Sequence, residues 1–206
     1  MKLYPYVKRL IDIVFAVLLL VIASPIMLFA VFAIKMESRG PALFKQNRPG
    51  KNSRIFTVLK FRTMATEMEK DGRALSDMER MTRVGNVLRK TSIDELPQLI
   101  NILRGEMSFI GPRPLLVKYL DYYTPEQSRR HEVMPGISGW AQVNGRNSIS
   151  WKEKFKLDVW YVEHQSLSLD IKILLLTIYN VLKSKDINSS SDNTMQPFTG
   201  DVESGL

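Results

Sequence analysis

The residues best suited to chemistry lie in the run Arg89-Lys90-Thr91-Ser92-Ile93-Asp94-Glu95-Leu96-Pro97-Gln98-Leu99. Thr and Ser followed by Asp-Glu and a proline mark a helix start, and proline is tolerated in the first helical turn because its missing N–H is no loss there. The pattern therefore puts Asp94 and Glu95 beside a helix N-terminus, where the dipole and free N–H groups favour ionised carboxylates. An ionised Asp94 is the form a nucleophile needs. Adjacent carboxylates also suit a divalent cation that takes oxygen ligands and phosphate partners, as Mg²⁺ does. The same residues fit a plain capping box, Ser92 with Glu95, and on this segment alone both readings stand.

Cations able to hold a pyrophosphate are plentiful: Lys60, Arg62, Arg89, Lys90, Arg104, Arg113 and Arg146. Arginine matches phosphate oxygens with a fixed fork of donors. Two of these sit in tight turns. Arg113 lies between prolines in Gly111-Pro112-Arg113-Pro114, and Arg146 follows Asn144-Gly145; stiff loops hold functional side chains well. Other chemistries are excluded or disfavoured. With no cysteine, disulfides, thiolate catalysis and Cys-based zinc sites are ruled out, and two histidines disfavour a His-rich metal centre. The fingerprints GxGxxG and GxxxxGK[ST] are absent. Lys+Arg 29 against Asp+Glu 21 gives a net charge of +8, which implies anionic company: nucleic acid, phospholipid headgroups or a phosphorylated substrate.

The elements that must position these residues begin with an apolar run. From Ile13 to Ile34 no residue is charged, about 33 Å as a continuous helix against a hydrocarbon core of about 30 Å. Mean hydropathy over the whole chain, −0.10, is too polar for many crossings. Ser24-Pro25 sits near the middle of the run. Proline frees the carbonyl of Val21, and Ser24 can satisfy it in lipid. Basic residues flank both ends: Lys2, Lys8 and Arg9 before; Lys35, Arg39, Lys45 and Arg48 after. A straight span must send one cluster outside, whereas a re-entrant hairpin keeps both in the cytoplasm. A kinked single-pass anchor is the alternative.

Beyond Gly40-Pro41, Ala42–Phe44 and Ile55–Leu59 are strand-like around a turn at Asn47–Asn52, which predicts a β-hairpin. Residues 66–82 read as a solvated helix or loop, and 83–104 carry helical periodicity ending at Gly105. A turn-rich stretch from Ser108 to Pro114 precedes a helix to about Arg130. Residues 150–163 and 168–183 read as amphipathic helices suited to a membrane surface, with packing on the core as the alternative. The tail from Ser184 is polar, and mobile or only locally packed. The fold class expected is α+β, mainly helical: a re-entrant anchor over 1–39, a catalytic domain over 40–183 and a polar tail over 184–206.

The motifs Lys60-Phe61-Arg62-Thr63-Met64, Thr91-Ser92-Ile93-Asp94-Glu95-Leu96-Pro97-Gln98-Leu99 and Gly111-Pro112-Arg113-Pro114 occur in order, followed by Pro135-Gly136-Ile137-Ser138-Gly139-Trp140-Ala141-Gln142-Val143-Asn144-Gly145-Arg146. The chain thereby resembles the bacterial sugar transferases, the monotopic phosphoglycosyl transferases that start glycan assembly on polyprenol phosphate, in their minimal PglC-type form. The likeness runs to about residue 183. It implies that Asp94 is the nucleophile and Glu95 its partner carboxylate, that both hold Mg²⁺, and that Lys60, Arg62, Arg89, Arg113, Arg146 and Asp170 bind substrate. It implies a UDP-sugar donor, undecaprenyl phosphate as acceptor and a hairpin at Ser24-Pro25. It also implies the cytoplasmic face of the bacterial inner membrane, with downstream glycosyl transferases as further partners. The minimal type hints at a diacetamido trideoxy sugar. Glu106 and Ile93 depart conservatively from the Asp and Leu of many relatives. A non-catalytic membrane scaffold is the alternative; it leaves the carboxylate pair unexplained. A nucleic-acid-binding protein leaves the apolar run unexplained, and no nucleic-acid partner is expected.

Overall fold

The computed structural model describes residues 3–70, 72–145, 149–183 and 197–200. It opens with one long helix, α1 (Tyr4–Glu37), with Pro25 inside it. The expected break into two half-helices does not occur, because Ser24 Oγ donates to the Val21 carbonyl at 2.8 Å and so satisfies the acceptor that proline strands. The inward face of α1 is narrow and made largely of small residues, Ala16, Ala23 and Ala30, with Lys8, Asp12 and Ile34 in line. Small side chains let the helix lie close against the domain. The other faces expose Phe15, Leu18, Val21, Ile22, Leu28, Phe29 and Phe32, an apolar surface far beyond what a water-soluble monomer shows.

After α1 come β1 (Leu43–Pro49) and β2 (Ile55–Phe61), an antiparallel hairpin in the register Leu43↔Phe61 to Pro49↔Ile55. The hairpin is as expected, but the turn lies further on, at Lys51–Ser53, where Asn52 and Ser53 adopt positive φ; both strands are correspondingly longer. The charged segment forms a two-rung ribbon, β3 (Glu69–Lys70) with β4 (Arg73–Ala74), and one capped turn of helix, α2 (Asp77–Arg80). The periodic stretch then divides in two, α3 (Arg83–Lys90) and α4 (Gln98–Leu103).

β5 (Ser108–Ile110) runs parallel to a later strand, β6 (Gly136–Ser138). Between them the expected continuous helix is a 3₁₀ turn at Val117–Tyr122, the short α5 (Pro125–Ser128) and a second 3₁₀ turn at Arg129–Glu132. Pro125 starts α5 under a Thr124–Gln127 capping box, which fixes a helix boundary inside the stretch. The chain closes with α6 (Trp140–Val143), α7 (Trp151–His164) and α8 (Leu167–Lys183).

Apolar clusters join these pieces. Ala16, Val58, Leu99, Ile102 and Met107 tie α1 to β2 and α4. Ala30, Ile34, Phe61 and Leu88 tie it to α3. Ile110, Tyr161, Leu169 and Ile173 hold β5 against α7 and α8. The fourth cluster is aromatic: Tyr119, Phe155 and Phe198. Phe198 is 3% exposed, so the tail is packed locally at this point; residues 184–196 and 201–206 lie outside the described residues. Of the two helices expected at a membrane surface, α7 buries Phe155, Val159 and Tyr161 in the protein. α8 leaves Leu167, Ile171, Leu174, Leu175 and Ile178 exposed along one helical face.

Candidate active site

Four segments converge on Asp94 and Glu95. α3 ends at Lys90, and Ser92 takes a left-handed conformation (φ 58°) that turns the chain sharply. Ile93–Glu95 then form a single 3₁₀ turn before α4. The capping box is not formed: Ser92 makes no side-chain cap bond, because in this turn its hydroxyl is not placed to cap the next helix. What pins the turn instead is apolar. Ile93 and Leu96 pack on the Phe61–Leu88 cluster, and Pro97 is fully buried. The two carboxylates between them stay half-exposed.

The second segment is β2. Asn101, fully buried on α4, accepts from Leu59 N at 3.0 Å and donates to the Thr57 carbonyl at 2.8 Å. That pair of bonds fixes the strand's register on the helix and brings Lys60 alongside the carboxylates. The third segment is the loop after β5. A Cβ on Gly111 would lie 2.2 Å from the Met134 carbonyl, and one on Gly136 would lie 2.2 Å from Gly111 N. Only glycines allow this approach, and it delivers Pro112-Arg113-Pro114 to the site. The fourth is α3, whose N-terminal amides are capped from the end of α1: Glu37 accepts from Arg83 N at 2.7 Å and Val84 N at 2.9 Å.

Glu95 Oε1 accepts from Lys60 Nζ at 2.6 Å and from an Arg113 guanidinium nitrogen at 2.9 Å. Burial alone would raise Glu95, but the charges of Arg113 and Lys60 outweigh it and hold the carboxyl down to about 2. Asp94 is the opposite case. Burial first, then the neighbouring Glu95 charge, pushes it above the usual aspartate value, against the pull of Lys60, Arg89 and Arg113. Among the described residues its carboxylate accepts no hydrogen bond. An oxygen raised in basicity and left without donors is suited to attack.

The sequence-predicted residues separate into groups. Lys60 and Arg113 bond Glu95, and Arg89 acts on Asp94 by charge while its Nε donates to Thr63 Oγ1 at 3.0 Å. Arg62 is 6% exposed and gives its donors to the carbonyls of Arg39 and Ser38 and to Ser38 Oγ, where it clasps the end of α1. Asp170 is buried in a separate network, accepting from Lys8 Nζ, Tyr4 OH and Tyr161 OH at 2.5, 2.5 and 2.7 Å; it ties α1 to α7 and α8. Arg146 lies outside the described residues. Arg48, Gln46, Gln98 and Asn101 were not picked out by motif reading. Arg48 reads in the sequence only as a flanking charge, and the alternation Phe44, Gln46, Arg48 on one strand face is the signal that finds Arg48 and Gln46.

These residues open on a cleft lined by Phe44, Gln46, Arg48, Val58, Lys60, Gln98 and Arg113. A divalent cation fits the carboxylates beside it. Both bonds to Glu95 fall on Oε1, which leaves Oε2 and the whole Asp94 carboxylate open among the described residues. Mg²⁺ is held by one or two carboxylates plus substrate phosphates. No group of three or more His, Asp or Glu side chains able to hold a metal ion occurs among the described residues.

Residues 3–184 match the family described as bacterial sugar transferase. The uncharacterized sugar transferase EpsL of Bacillus subtilis is 52% identical, over 94% of this chain and 96% of its own. The UDP-glucose:undecaprenyl-phosphate glucose-1-phosphate transferase of Caulobacter vibrioides is 43% identical, over 85% of this chain and 69% of its own. The undecaprenyl-phosphate galactose phosphotransferase of Salmonella typhimurium is 36% identical, over 86% of this chain and 41% of its own.

Proposed function

The chain belongs to the bacterial sugar transferase family, and from that premise we propose that it is a phosphoglycosyl transferase moving a sugar phosphate from a UDP-sugar to undecaprenyl phosphate. The observation that carries this reading is Asp94: a half-buried carboxylate raised in basicity, without hydrogen-bond donors among the described residues, beside Glu95, Lys60, Arg89 and Arg113.

The reaction proceeds in two displacements. An Asp94 carboxylate oxygen attacks the sugar-bearing phosphorus; the bond to the bridging oxygen breaks, and UMP leaves with the electron pair. An acyl phosphate linking Asp94 to the sugar remains. The phosphate oxygen of undecaprenyl phosphate then attacks the same phosphorus, Asp94 is released as carboxylate, and polyprenyl diphosphosugar forms. Lys60 and Arg113, positioned before substrate arrives by their bonds to Glu95, lie where negative charge develops. Arg89 adds a third cation. Mg²⁺, held by Asp94 and Glu95, would supply further charge neutralisation on the phosphates.

A seat at the membrane suits a reaction between a soluble nucleotide sugar and a lipid. α1 is about 50 Å long, and both its ends are tied to the same domain. Arg9 donates to the Ile102 and Leu103 carbonyls at 2.5 and 3.0 Å, and Glu37 caps α3. A straight crossing of a hydrocarbon core about 30 Å thick would pull α3 and α4 to opposite faces. These ties support a shallow, re-entrant seat of α1 on one leaflet, with the apolar face of α8 lying flat beside it; the leaflet proposed is the cytoplasmic one of the inner membrane. Cysteines placed singly at Lys2 and Lys45 then react from the same side in intact cells; opposite sidedness would demand a span.

The relatives act on different sugars, as their names state, so the sugar is read by assay. The chain is incubated with undecaprenyl phosphate, Mg²⁺ and a panel of UDP-sugars, including glucose, galactose, their N-acetylated forms and a diacetamido trideoxy sugar. UMP is the expected product. UDP would indicate transfer of sugar without its phosphate, and no release from any donor would favour the scaffold.

A further inference from the structure

The cleft beside Asp94 has a second wall. On β1, Phe44, Gln46 and Arg48 share one face, opposite Lys60, Val58 and Phe56 on β2. Arg48 is half-buried, and its guanidinium donates to Gln46 Oε1 at 2.6 Å, which fixes a side chain that would otherwise be free to leave. It has no carboxylate partner among the described residues. Burial, then the charge of Arg113, presses against its protonation. Arg48 and Arg113 line the same open cleft, while the acid that Arg113 bonds among the described residues, Glu95, is shared with Lys60. Gln98 is 3% exposed and lines the same cleft, and no hydrogen bond to its amide occurs among the described residues. An arginine without a carboxylate partner among the described residues, a second arginine and an amide along one cleft make a seat suited to an anion.

We propose that Arg48 and Arg113 grip one phosphoryl group between them, with Gln46 holding Arg48 in place and Gln98 offering its amide from the cleft wall. The inference rests on the reading of the site as a phosphoglycosyl transferase centre and adds a subsite to it. The ligand chemistry is a phosphate ester or diphosphate, supplied by the nucleotide end of the donor or by the head of the lipid acceptor. Arginine on both sides suits it, since each guanidinium can present two parallel donors to phosphate oxygens.

The test is calorimetric titration of the full-length chain in detergent with inorganic pyrophosphate and, separately, UMP. Arg48→Gln is expected to weaken pyrophosphate at least about tenfold, the loss of a charge-assisted bond, and Arg48→Lys to restore part of it. Gln46→Glu, which neutralises Arg48 in place, is expected to weaken it likewise with thermal unfolding unchanged. Steady-state kinetics separate the two sources: a raised KM for the UDP-sugar alone assigns the donor phosphate, and a raised KM for undecaprenyl phosphate alone assigns the acceptor. Wild-type pyrophosphate affinity in both Arg48→Gln and Gln46→Glu would overturn the proposal. Because the titration needs no turnover, it still decides the subsite if no UDP-sugar is consumed.

Discussion

Two charged clusters lie on either side of Arg113, and they are built to opposite ends. Below it, Arg130 and Asp158 form an ion pair at 2.7 Å with both side chains 2% exposed. Arg130 Nε and one terminal nitrogen donate to Asp158, that nitrogen also donates to the Arg113 carbonyl at 2.8 Å, and the other donates to Tyr123 OH. Aromatic rings of Tyr123 and Phe155 pack over the guanidinium. Above it, the Arg113 side chain, Lys60 and Glu95 form a network that is open to the cleft and leaves Asp94 without a donor among the described residues. The buried pair has its donors satisfied and has nothing left to offer a substrate. The open one keeps unspent cations and an unspent carboxylate, which is what a reacting phosphate needs. The two are joined through one residue: Arg130 holds the backbone of the loop whose side chain serves the site.

Substitutions in the two clusters should therefore fail in different ways. Asp94→Asn is expected to lower turnover by about 10⁴-fold or more with unfolding temperature unchanged, read by UMP release and a thermal melt. Asp158→Ala leaves Arg130 buried and unpaired; it is expected to cost about 3–5 kcal/mol of stability, visible as a lower Tm. Replacing both partners, Arg130→Met with Asp158→Leu, should recover most of that stability, and a failure to recover it would mean the pair does more than fill a buried space. Glu95→Gln is expected to reduce kcat by about a hundredfold with little change in melting. A collapse of the fold in Glu95→Gln would erase the distinction between the clusters.

The smallest effect is in pH dependence. Asp94 is raised, so it takes up its proton at a higher pH than an ordinary aspartate of about 3.9, and the acid limb of kcat/KM should lie above that value. Glu95→Gln removes one of the charges that raise it, so the limb should move toward lower pH. A shift upward would mean that Glu95 steadies the neutral form of Asp94 instead.

Much of this was legible in the residues. The apolar run, the hairpin, the Asp94-Glu95 pair and the stiff loop holding Arg113 follow from local pattern: charge-free length, alternation, and proline flanking an arginine. What local pattern missed was tertiary. Ser92 with Glu95 has the spacing of a capping box, yet packing of Ile93 and Leu96 drew the chain into a 3₁₀ turn. Ser24-Pro25 has the composition of a break, yet one hydroxyl kept α1 continuous. Arg62 reads like Lys60 two residues before it, but β2 ends at Phe61, so Lys60 stays on the strand and meets Glu95 while Arg62, past the strand's end, closes the end of α1. Phe198 follows a polar stretch that predicts no packing, and its burial depends on Tyr119, Trp151 and Phe155, brought together from distant parts of the chain.

The most direct test of the central claim is a single-turnover pulse. The purified chain is mixed with a UDP-sugar labelled on the sugar-bearing phosphate, with Mg²⁺ and no lipid acceptor, then quenched and analysed by mass spectrometry. The account predicts one UMP per active protein and a phosphosugar adduct on the peptide containing Asp94, discharged when undecaprenyl phosphate is added. Full activity with acceptor, but neither UMP nor adduct without it, would contradict the account and point to direct transfer.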